Sequence, residues 1–146
     1  AALLVAFDNA VEASAPLRRG NTWPRDDAVE VAVRNTAAGD DAPILVLRGF
    51  PSGHWLSSDE AGAPPEAVRR AAEGVQYAAR AVDAGRWTAE WRIPFKSLGI
   101  DPARQRRFAF NLTIRKTAGP LWLMWQGTGA QSWRLDKAGI IELAGD

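Results

Sequence analysis

The 146-residue chain has no Cys, one His, one Met and one Tyr. Without Cys there is no disulfide, no thiolate nucleophile and no Cys-ligated zinc. A single His excludes a His-rich metal centre or a two-His proton relay built from this chain alone. Charge of one sign is also lacking: 18 basic residues stand against 17 acidic ones, a net +1. That balance gives no general field for nucleic acid or for an anionic membrane. No apolar run is long enough to span a bilayer, and Ala1-Ala2-Leu3-Leu4-Val5-Ala6-Phe7-Asp8 carries no basic segment of a signal peptide. The length fits one domain over residues 1–146 that can bury a core. We expect it to be a piece of something longer, with no targeting signal from which to read a compartment.

What is present in excess is tryptophan: seven Trp against five Phe and one Tyr. The rest of the pattern is short alternation. Ala28 to Arg34 puts Val29, Val31 and Val33 on one side and Glu30 and Arg34 on the other. Trp87 to Ile93 sets Trp87, Ala89, Trp91 and Ile93 against Thr88, Glu90 and Arg92. Phe108 to Arg115 turns Phe108, Phe110, Leu112 and Ile114 inward. A period of two with an apolar and a polar side predicts half-buried antiparallel strands. Leu3–Phe7, Pro43–Arg48, Val75–Val82, Leu121–Gln126 and the run near Ile140–Leu143 read as further strands. Pro64 to Glu73, Ala-rich, opened by Pro and closed by Gly74, reads as the one short helix. The fold class is therefore all-β, an antiparallel β-sandwich with one short helix. The stretch Phe50–Pro65 reads as a long irregular loop.

The outward positions hold charge and amide rather than the usual Thr, Ser and Lys. They are Glu30, Arg34, Arg48, Glu90, Arg92, Asn111, Thr113 and Arg115. If neighbouring strands pair, these form either a solvated face of cross-strand ion pairs or a concave polar platform suited to an uncharged, hydroxyl-rich ligand. Among the Trp residues, Trp87 and Trp91 share the core parity of their strand. Trp122 and Trp125 fall on opposite faces of theirs. Trp23, in Gly20-Asn21-Thr22-Trp23-Pro24-Arg25-Asp26-Asp27, and Trp133, in Gly127-Thr128-Gly129-Ala130-Gln131-Ser132-Trp133, sit in turn-like stretches without apolar neighbours in sequence. Each is either a lid on the sandwich or a flat apolar face for the C–H side of a sugar ring, with amides and charges beside it for hydroxyls.

Four segments carry a family resemblance. Trp23-Pro24-Arg25-Asp26-Asp27-Ala28-Val29-Glu30-Val31, Gly85 to Gly99 (GRWTAEWRIPFKSLG), Phe108 to Arg115 (FAFNLTIR) and Trp133 to Leu143 (WRLDKAGIIEL) resemble, in that order, segments of family 9 carbohydrate-binding modules. These modules are relatives of the DOMON group. The resemblance implies an antiparallel β-sandwich that is not an enzyme and that clamps a sugar ring between two Trp side chains. The ligand implied is a mono- or oligosaccharide or the end of a polysaccharide chain, and the setting extracellular, cell-surface or periplasmic. By position, Trp23 and Trp133 match the two jaws, Glu30 the Glu downstream of the first jaw, and Gln131 the amide beside the second. Arg48 follows on the next strand, and Asn111 and Arg115 are added from the polar face. The resemblance implies a leader of one or two strands before Leu3–Phe7, which we expect to be missing from this piece.

Other readings stay open. A haem-binding, electron-transferring DOMON relative would need axial ligands, for which Met124 and His54 are the only soft candidates. A structural sandwich would dock neighbouring domains of a larger protein through Trp55 and Trp23. Glycosidase chemistry would need two carboxylates flanking one bond, and Glu30 and Glu90 each have an Arg of the same parity nearby, Arg34 and Arg92, which disfavours an acid. No cofactor is expected. The one metal the acidic residues suggest is calcium, at Asp8, Asp26 and Asp27, although paired Asp in a turn more often caps backbone N–H groups.

Overall fold

The computed structural model describes residues 1–10, 16–117 and 121–144. In chain order the elements are β1 (Ala2–Ala10), β2 (Ala28–Arg34), β3 (Leu45–Gly49), β4 (Trp55–Ser58), α1 (Pro65–Ala72), β5 (Gln76–Ala81), β6 (Arg86–Pro94), β7 (Arg107–Lys116), β8 (Leu121–Met124) and β9 (Gly139–Glu142). They form an all-β sandwich of two antiparallel sheets with a single short helix. The smaller sheet has the order β1-β6-β5. The larger runs β4-β3-β2-β7-β8, and β9 pairs with the other half of β7.

The alternating positions meet between the sheets. Val29, Val31, Val33, Leu45, Leu47, Phe108 and Phe110 of the larger sheet face Trp87, Ala89, Trp91 and Ile93 of the smaller in one buried cluster. Trp87 and Trp91 are fully buried, as their parity predicts. Each removes about 200 Å² from water, worth about 5 kcal/mol at about 25 cal/mol per Å² before entropy is counted. Phe7 meets Trp87 edge-on at 4.8 Å, and Trp91 packs against Tyr77 at 4.3 Å and Trp55 at 5.8 Å. The sheets approach so closely here that a Cβ on Gly49 would lie 2.5 Å from the Tyr77 ring. The Tyr77 hydroxyl donates to the Phe50 carbonyl at 3.0 Å, which ties the smaller sheet to the turn after β3.

Two expectations change. Phe50–Pro65 is not irregular throughout: Trp55–Ser58 forms β4, the edge of the larger sheet, and Trp55 points into the core. Four residues ending in Ser57-Ser58 are too short and too polar to announce a strand by alternation. The outward polar residues also do not share one platform. Glu90 and Arg92 lie on the outer side of the smaller sheet, whereas Glu30, Arg48, Asn111, Thr113 and Arg115 lie on the outer side of the larger one. With the core between them, Glu30 and Glu90 cannot flank one bond.

Candidate functional site

The outer side of the larger sheet is covered. Its strands carry small or apolar residues at outward positions, Ala28 and Ala32 on β2, Val46 on β3 and Ala109 on β7, all buried. Ala32, Val46, Ala109 and Leu135 form a second, smaller core, against which Ile44, Ala61, Trp133 and Ala138 pack. The segment between β8 and β9 thus lies across the sheet instead of looping away from it.

Asn111 holds that cover down. Its Nδ2 donates to the carbonyls of Gln126 at 3.1 Å and Ser132 at 2.9 Å, and its Oδ1 accepts from Leu112 N at 3.0 Å and Gln126 N at 3.1 Å. Thr128, also buried, accepts from Ala130 N and shares its one hydroxyl proton between the carbonyls of Gln131 at 2.9 Å and Ala130 at 3.1 Å. Gly129, at φ +71°, supplies the left-handed residue this loop requires. On the other flank, Asp27 accepts from Arg18 N at 2.7 Å and Thr117 N at 2.8 Å, and Asp26 accepts from Thr22 N at 2.9 Å. Both therefore cap backbone groups, Asp26 within the stretch that carries Trp23 and Asp27 between the segment before it and the residue after β7. Asp8 pairs with Arg86 on the smaller sheet. No three His or acidic side chains gather among the described residues.

Between the two flanks lies a cleft of about 520 Å³. Its aromatic lining is Trp23, Trp122 and Trp133, with Met124 and Pro24 beside them. Its polar lining is Glu30, Arg48, Glu60, Gln131 and Ser132. Five of the residues expected at a site, Trp23, Glu30, Arg48, Gln131 and Trp133, come together here. Two do not. Asn111 spends both amide donors and its carbonyl on the cover, because the backbone there has no strand partner to satisfy it. Arg115 donates through Nε to the Pro24 carbonyl at 2.6 Å and stacks on Trp122 at 4.8 Å, so it buttresses the wall from behind.

Arg48 is the hub. Its guanidinium lies over the Trp23 ring at 3.9 Å, and its Nε donates to Glu30 at 2.7 Å. Its Nη2 pairs with Glu60, and Ser132 donates its hydroxyl to the second oxygen of Glu30. Glu30 is 1% exposed and the Arg48 side chain 6%, so the pair is desolvated and each partner is hydrogen-bonded to the other. Trp23 also meets Trp122 edge-on at 5.1 Å, so stacked cations and indoles make one wall. Thr113, between Glu30 and Met124 in the sheet, is buried, and its hydroxyl has no partner among the described residues.

Trp122, Met124, Glu60 and Ser132 are cleft residues that the sequence reading missed. Register accounts for the first two: Trp122 pairs with Arg115 and Met124 with Thr113, which puts them on the Glu30 face. The small outward residues Ala28, Ala32 and Ala109 were the available signal that this face is roofed. Trp125 takes the opposite side, against Phe110 at 5.7 Å, as the three-residue offset from Trp122 predicts. Met124 lines the cleft, but His54, in the turn after β3 and stacked on Phe50, does not. A larger hollow, about 620 Å³, lies near Ala1 and Gly74 and combines exposed Arg92, Lys96 and Asp101 without an indole. Its size is the lesser criterion, since it gathers neither the Trp side chains nor a buried charge pair. Comparison of the chain with protein families, curated proteins and solved structures finds no match.

Proposed function

We propose that this domain binds carbohydrate and performs no reaction on it. A sugar ring enters the cleft and stacks its C–H face on the indoles of Trp23 and Trp133, while Glu30, Arg48 and Gln131 exchange hydrogen bonds with its hydroxyls. The observation that carries this reading is convergence. Trp23 precedes β2, Trp133 precedes β9, and both reach one cleft with a buried charged pair at its wall. Apolar faces combined with a few fixed polar groups are what a concave site for a small hydroxylated ligand needs. Arg48 covers one face of Trp23 and Trp122 meets the same indole edge-on, so the ligand stacks on the part of Trp23 that lines the cleft and on the Trp133 indole. The proposed partners are mono- and oligosaccharides or polysaccharide ends, in an extracellular, cell-surface or periplasmic setting.

The test is calorimetric titration with a panel of soluble oligosaccharides. At least one should bind the wild-type domain. Trp23→Ala and Trp133→Ala should each abolish that binding while the far-UV circular dichroism spectrum is kept. Both variants retaining full affinity would move the site elsewhere, and no binding by the wild type would end the carbohydrate reading.

A further inference from the structure

We infer that Glu60 sets the charge class of the ligand, so that the cleft accepts neutral sugars and turns uronates away; this rests on the carbohydrate reading. The reason lies in how Arg48 is shared. In a guanidinium, Nε–H and one Nη2–H lie side by side and form the fork that a single carboxylate takes bidentately. Here one arm of that fork is taken by Glu30, which accepts from Nε, and Glu60 forms an ion pair with Nη2 beside it, so two carboxylates already crowd the same edge of the guanidinium. They come from different parts of the chain, β2 and the loop after β4, and they differ in freedom. Glu30 is buried and also holds Ser132, so it belongs to the fixed wall. Glu60 is 50% exposed and reaches into the cleft from its rim.

The lining therefore holds one guanidinium and two carboxylates. Arg115, which stacks on Trp122 of this wall, has its Nε bound to the Pro24 carbonyl and does not line the cleft. A ligand carboxylate would be the third around one guanidinium and would lie beside Glu60 whichever remaining N–H it took. Like charges set side by side in a partly desolvated site are penalised, and that penalty acts on selectivity more than on the affinity of the accepted ligand. A hydroxyl meets no such penalty. It can donate to a Glu60 oxygen and accept from a remaining guanidinium proton. Glu60 is thus a specificity-determining residue, placed by the short β4 strand that ends two residues before it.

The experiment compares wild type, Glu60→Gln and Glu60→Ala. Each is titrated at low salt with glucose, galactose and xylose oligosaccharides, and with glucuronate and galacturonate oligomers of matching length, following Trp fluorescence. Wild type should bind a neutral oligosaccharide about tenfold or more tightly than its uronate counterpart, and both variants should shrink that gap by about tenfold. The near-isosteric Gln variant keeps the test valid should the Ala variant disturb the loop. Wild type binding uronates as well as neutral sugars, or a gap unchanged in both variants, removes Glu60 from this role and leaves the carbohydrate reading standing. No binding of either sugar class by any of the three proteins overturns the carbohydrate reading and this inference together.

Discussion

The two outer faces of the sandwich start from the same alternating pattern and end differently. On the smaller sheet, Asp8, Arg86, Glu90 and Arg92 point outward and stay exposed. On the larger sheet, Glu30, Arg48, Asn111 and Thr113 point outward and are buried. The strands alone do not decide this. The smaller sheet has Ala6 and Ala78 flanking Glu90, all three exposed among the described residues, while the larger has Ala32, Val46 and Ala109 beneath a segment pinned by Asn111, Thr128 and Leu135. Roofing a polar face turns a solvated surface into a cleft, because the same ion pair has a different worth once water is excluded.

The sharpest way to break the contrast is to remove one charge from each face. Glu30→Ala leaves Arg48 buried with only Glu60 as a charged partner and should cost about 3–5 kcal/mol in urea unfolding. Next, Leu135→Ala removes the anchor of the roof and should cost about 2–4 kcal/mol, with the outer face of the larger sheet gaining hydrogen exchange while the smaller sheet stays protected. Tyr77→Phe cuts the bond between the two sheets and should cost about 1 kcal/mol near neutral pH. It should also change the alkaline limb. Burial pushes the Tyr77 phenol well above its ordinary range. Its contribution is fully present below the unfolded value near pH 10 and is lost as pH rises above it, since the unfolded chain then releases a proton that the folded one holds. The Phe variant should lack that part of the alkaline loss.

The smallest effect is expected at the exposed pair. The hydrogen bond from Arg86 holds the Asp8 carboxyl below its usual range. Any stability it supplies is present at neutral pH and fades as pH falls through that lowered value. Asp8→Asn should leave the urea midpoint at neutral pH unchanged within error, in contrast to Glu30→Ala.

The strands that build the core were legible because alternation and burial agree in them: Val29, Val31 and Val33, or Trp87, Trp91 and Ile93, could face only one way. The short helix was legible from Pro64-Pro65 and Gly74. β4 was not, because Trp55-Leu56-Ser57-Ser58 lacks a polar–apolar rhythm and is ordered by Arg48 and Leu47 across the ladder. The site was legible in part. Trp23 and Trp133 stood out by lying in turn-like stretches, and the structure supplies their apolar surroundings from distant strands: Trp122 for the first, the cluster of Ala32, Val46 and Ala109 for the second. Asn111 and Arg115 were placed on the correct face but given the wrong partners, since alternation says which way a side chain points and not what arrives to cover it. Glu60 carried no local signal, because its partner is twelve residues away across a turn and an edge strand.

The most direct test of the central claim uses the tryptophans themselves. In a 15N-labelled sample, the indole N–H resonances report the core (Trp55, Trp87 and Trp91), the cleft (Trp23, Trp122 and Trp133) and the opposite side of the β8 edge (Trp125). Titration with a neutral oligosaccharide should move the three cleft resonances together, saturably, and leave the three core resonances in place. Shifts confined to Trp125, or a spectrum unmoved across the whole sugar panel, would contradict a carbohydrate site in this cleft.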